Sequence, residues 1–106
     1  MGVTRRLLWI GMALACLSCA ADPTGAKTTI QVLDNSFSPA TLTVAPGATV
    51  SWVWNGRVEH NVVFLNDGIA SDIQLTGQFD HTFPVAGTFA FRCTLHQGME
   101  GSIVVQ

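Results

Sequence analysis

The stretch Gly87-Thr88-Phe89-Ala90-Phe91-Arg92-Cys93-Thr94-Leu95-His96-Gln97-Gly98-Met99, followed by Glu100-Gly101-Ser102-Ile103-Val104-Val105, decides how this chain is read. A β-prone run ends at a cysteine, a short Gly-containing loop follows, and a second β-prone run comes directly after it. At period two, Phe89, Phe91 and Cys93 share one face of the first run, and Thr88, Ala90 and Arg92 share the other. The cysteine is therefore expected to point inward at the end of a β-sheet. The loop then places a thiol, an imidazole and a thioether, those of Cys93, His96 and Met99, within seven residues. Together these donors suit copper, which alternates between a soft Cu(I) and a borderline Cu(II) state.

Three ligands from one loop need a fourth, and upstream there are two histidines to choose from. His60 stands at the start of the strand-like segment Glu59-His60-Asn61-Val62-Val63-Phe64, whereas His81 lies in the middle of Phe79-Asp80-His81-Thr82-Phe83. Either would complete the trigonal His2Cys set with a weak axial Met that marks blue-copper sites. Gln97 is an alternative axial donor, because an amide oxygen can take the place of the thioether. Gly98 and Gly101 are expected to supply the unusual backbone angles of so short a loop.

Working outward, the chain has 106 residues, enough for one domain at most. Residues 1–20 carry Arg5 and Arg6, then the apolar run Leu7 to Leu17, then small residues, which is the form of a secretory signal. The same segment offers Cys16 and Cys19 as acylation points of a bacterial lipoprotein, so removal and lipid anchoring both stay open. Residues 21–27, with Pro23 and Gly25, read as a linker to a domain spanning 28–106. That domain has one cysteine, Cys93, and so cannot close an internal disulfide. In an oxidising compartment a lone thiol is buried and inert, or it is a ligand or nucleophile.

Without residues 1–20 the basic side chains are Lys27, Arg57 and Arg92 against seven acids, a net of −4. This argues against nucleic acid as a partner. From Thr28 onward no helical period is present, and short runs alternate with turns. Strands are expected at Thr29 to Leu33, Thr41 to Val44, Thr49 to Trp54, Asn61 to Leu65, Phe79 to Phe83, Thr88 to Cys93 and Ser102 to Val105. Residues 69–78 read as an irregular crossing loop. The class is all-β, an antiparallel or mixed sandwich with Trp52 and Trp54 as core or rim packing.

The segments His60-Asn61-Val62-Val63-Phe64 and Gly87 to His96, closing with Gly101-Ser102-Ile103-Val104-Val105, resemble small bacterial cupredoxins of the plastocyanin and amicyanin type. The Cys-x2-His-x2-Met spacing is that of the short amicyanin-like loop. The resemblance implies a Greek-key β-sandwich of about seven to eight strands and one type 1 copper held by His60, Cys93, His96 and Met99. It also implies that Asn61 ties the upstream segment to the ligand loop through Thr94, and that the Asn61 amide donates to the Cys93 sulfur. Leu95 stands where relatives usually have proline, so its own N–H is expected to donate to that sulfur as well. Arg92 stands where plant plastocyanins carry a tyrosine.

No acid pair, no nucleophile with an attendant base and no open coordination position suggests catalysis. The chain is therefore expected to be a non-enzymatic, monomeric carrier of single electrons. Its redox partners are expected to dock at the His96 end, in the periplasm, with the domain soluble or lipid-anchored. The competing reading is a protein that buffers or delivers copper without redox turnover.

Overall fold

The computed structural model describes residues 28–106. The expected signal segment 1–20, with Cys16 and Cys19, and the expected linker 21–27 lie outside the described residues. Eight strands follow in order: β1 (Thr29–Val32), β2 (Phe37–Ser38), β3 (Thr41–Val44), β4 (Ala48–Trp54), β5 (Val63–Phe64), β6 (Gln78–Phe83), β7 (Gly87–Arg92) and β8 (Glu100–Val105). Among the described residues there is no helix. One sheet runs β2-β1-β4-β6 and the other β3-β8-β7-β5. Two pairings, β1 with β4 and β3 with β8, are parallel and the rest antiparallel, so the sandwich is mixed.

The strands form where alternation gives each sheet a wet and a dry face. In β4, Val50, Trp52 and Trp54 are buried while Thr49 is exposed, the period-two pattern of a half-buried strand. Trp52 lies at the centre, fully buried, with the rings of Phe91 at 5.4 Å and of Phe64 and Phe79 at 5.7 Å. Edge-on contacts to Phe64 and Phe91 cross from one sheet to the other. Each such side chain taken from water stabilises the fold by about 1.5–3 kcal/mol.

Two elements differ from expectation for local reasons. β2 is only two residues long, too short to show a period, and forms because Gln31 and Val32 pair with Ser38 and Phe37. The expected strand over residues 61–65 narrows to Val63 and Phe64. Its neighbour Val62 turns to the crossing loop, donating its N–H to Ser71 Oγ at 2.9 Å and accepting the Ser71 N–H at 2.8 Å. That loop is tied down again where His60 and Gln74 exchange backbone hydrogen bonds at 3.0 and 3.1 Å.

Gly101, at the start of β8, lies outside the positive-φ region that was expected of it. Close approach explains it instead. A Cβ there would sit 2.5 Å from the Ala40 carbonyl oxygen and 2.6 Å from Phe91 Cζ. Gly101→Ala should therefore destabilise the domain by about 1–3 kcal/mol through overpacking. Urea unfolding is the check, and an unchanged midpoint would show that Phe91 yields without cost.

Candidate metal centre

Because β1 and β4 run parallel, their ends at Val32 and Trp54 lie side by side. The chain leaving β1 and the chain leaving β4 thus emerge at the same end of the sandwich. The β7 to β8 connection, residues 93–99, meets the second of these there. Its backbone closes on itself: Cys93 N–H donates to the Met99 carbonyl at 3.0 Å, and Met99 N–H to the His96 carbonyl at 3.3 Å. Gly98 makes the reversal possible at φ +82°, a conformation that side chains disfavour.

The closed loop and the β4–β5 connection bring three donors together. Cys93 Sγ lies 3.7 Å from His60 Nδ1 and 3.6 Å from His96 Nδ1, and all three atoms are within 4.8 Å of one another. Two donors bound to one metal at about 2.0 and 2.3 Å in a trigonal plane stand about 3.7 Å apart, so the spacing fits a single ion. His60 is fully buried, and Cys93 is 2% and Met99 1% exposed. Met99 lines the same cavity as Cys93 and His96. Gln97 is exposed, while His81 lies on β6 against the rings of Phe64 and Phe83, outside the donor cluster.

The surroundings hold these donors in place. Asn61 Nδ2 donates to Thr94 Oγ1 at 2.9 Å, and Thr94 N–H donates to Asn61 Oδ1 at 2.8 Å, which locks the two connections together. Neither the Asn61 nor the Leu95 amide is among the hydrogen-bond partners of Sγ in the described residues, which are the two imidazole nitrogens. The turn carries Leu95 outward instead, leaving it 44% exposed.

His60 has two supports that the sequence did not reveal. The Trp54 indole N–H donates to the His60 carbonyl at 3.0 Å, so this tryptophan is a clamp as well as packing. Asp34, in the turn after β1, places Oδ1 3.2 Å from His60 Nε2. Oδ1 also accepts the backbone N–H groups of Arg57 at 2.7 Å and Val58 at 3.2 Å. The Arg57 amide and then the His60 ring hold the Asp34 carboxyl below its ordinary pKa, so it is a carboxylate at neutral pH.

Comparisons with known proteins agree with this geometry. Residues 25–106 match the model of copper binding proteins of the plastocyanin/azurin family. Plastocyanin from Scenedesmus fuscus is 34% identical over 84 residues, covering 66% of this chain and 86% of that protein. Amicyanin from Paracoccus denitrificans is 29% identical over 94 residues, covering 82% and 71%. The solved structure of an oxidised amicyanin variant aligns with a TM-score of 0.69 at 28% identity, over 81% of this chain and 85% of that one. With the match running through both sheets and all three donors, this chain belongs to the plastocyanin/azurin family, as a cupredoxin of the plastocyanin and amicyanin type that takes one type 1 copper ion.

Proposed function

We propose that the chain carries single electrons between redox proteins, its copper held by His60, Cys93 and His96 with Met99 as the weak axial donor. The observation that carries this reading is the unequal exposure of the two histidines. His60 is fully buried, whereas His96 is only half-buried and sits beside the exposed Leu95. One imidazole fixes the site from inside and the other opens it to a partner. Copper supplies the one-electron couple when bound. The chain's own residues hold the donors still, since movement of ligands between redox states would slow transfer. The Cys93–Met99 and His96–Met99 backbone bonds and the Asn61–Thr94 pair do this.

Partners dock, on this reading, at the uncharged surface formed by Leu95, His96 and Gly98. The signal-like segment supports an extracytoplasmic location, in the periplasm, either free or held to the membrane through Cys16 or Cys19. A copper-delivery role is less well matched. It calls for exposed, Met- or His-rich donors, and here Cys93 is buried and Met99 is the one methionine after Trp54.

Loading with Cu(II) should give an intense blue colour that Cys93→Ser abolishes, while far-UV circular dichroism keeps its β-sheet form. His60→Ala should lose the colour and His81→Ala should keep it. The reverse pair of results would overturn the ligand assignment. A charge introduced as Leu95→Asp should slow electron transfer to partners roughly five-fold or more, because docking must then desolvate it at a cost of ~1 kcal/mol. Copper affinity should not change. Stopped-flow rates that are unaltered with two chemically different acceptors would move the docking surface elsewhere.

A further inference from the structure

On the reading that His60 is a copper ligand, we propose that Asp34 is a positioning residue of the centre. It fixes the His60 tautomer and favours the oxidised state. The geometry leaves little choice of proton. A carboxylate can only accept, so the His60 Nε2 that faces Asp34 Oδ1 at 3.2 Å carries the hydrogen and donates it. In a neutral imidazole the other nitrogen then holds the lone pair. That nitrogen, Nδ1, is the one that faces Cys93 Sγ. Asp34 thus turns the coordinating nitrogen toward the metal position by holding the far side of the ring.

The carboxylate is itself held. Three donors converge on Oδ1: the Arg57 amide, the Val58 amide and the His60 ring. Gly56 leaves the space for it, because a Cβ at that position would clash with Asp34 Oδ1 and crowd Cγ at 3.1 Å. The His60 backbone is fixed separately by Gln74 and by the Trp54 indole. The Asp34 bonds to the Arg57 and Val58 amides hold the loop ahead of His60, and with the His60 main chain pinned separately, its contact to Nε2 governs the ring's orientation and charge.

A carboxylate behind a ligating imidazole makes that ligand more basic. Its negative charge also attracts Cu(II) more than Cu(I), since the oxidised ion carries one more positive charge. The Asp34 side chain is 40% exposed, so solvent screens part of the second effect but not the hydrogen bond. His96 has no such carboxylate among its hydrogen-bond partners in the described residues; its bond, through Nδ1, is to Cys93. The two imidazoles therefore differ in donor strength as well as exposure.

The test is Asp34→Asn in the copper-loaded protein, beside Asp80→Asn, which removes an equal charge from β6. The amide keeps an oxygen for the Arg57 and Val58 N–H groups but is neutral. Loss of such an outer partner typically weakens metal binding 10- to 100-fold. Cu(II) affinity should fall about ten-fold further than Cu(I) affinity, a rise in reduction potential of about 59 mV. Competition with chelators and protein-film voltammetry read the two quantities independently. The blue colour should persist. If Asp34→Asn moves the potential no more than Asp80→Asn does, the proposal is wrong. Should the variant not fold, the wild-type Cu(I) protein decides by nitrogen-edited NMR. A His60 Nε2–H resonance shifted well downfield of the His96 one supports the contact, and coincident resonances overturn it. A wild-type protein with no blue colour would instead sink the copper-carrier reading itself.

Discussion

Three electron-pair donors must be kept within a few ångströms of one another, two of them buried and one at the edge of solvent, and everything else in this molecule answers to that requirement. A thiol and two imidazoles so placed would ordinarily rotate apart to find solvent or other hydrogen-bond partners. Here they are kept together from behind. The ligand loop is cinched by its own backbone, Asn61 and Thr94 join the two connections, and the Trp54 indole and Gln74 hold the main chain of His60. The aromatic cluster around Trp52 makes the platform from which these connections leave. Rigidity is thus distributed over many ordinary contacts, each contributing about 0.5–1.5 kcal/mol.

How much of this is legible in the sequence depends on how far apart along the chain the contacting residues lie. Cys93, His96 and Met99 share one loop, so spacing alone displays them. The period-two stripes of β4 and β7 show which faces are buried. His60 is separable from His81 only with the help of family resemblance, because both stand in strand-like runs and periodicity does not rank them. Asp34 is invisible. It reaches His60 across 26 residues by way of the parallel β1–β4 register, a pairing that no local pattern encodes. Trp54 looks like packing because its alternation is that of packing, and the hydrogen bond of its indole depends on where the following loop returns. Leu95 misleads for the opposite reason: the presence of an amide where relatives have proline says nothing about the direction in which it points.

The site is asymmetric, and the asymmetry has a structural origin. His96 belongs to the loop between two strands of one sheet, and its ring is partly at the surface. His60 belongs to the connection that crosses from one sheet to the other and is enclosed by three segments. On the proposed reading, an electron would enter or leave by the half-buried ring without disturbing the enclosed one.

The crossing connection has a mechanical side as well. His60 sits on the crossing connection and is tied back to the first sheet by the Trp54 indole and by Asp34 in the turn after β1, while Cys93, His96 and Met99 sit on the connection between β7 and β8 of the second. An ion held by both groups would act as a rivet between the crossing connection and the ligand loop. Binding that is specific to the folded chain adds to its stability in proportion to the logarithm of affinity. If the two oxidation states bind the folded chain with different affinities, the sandwich would unfold at different temperatures when oxidised and when reduced. To the extent that copper binds only the folded chain, the gap between those temperatures would follow the reduction potential, and the melting curve of this small domain would serve as a voltmeter for its own metal.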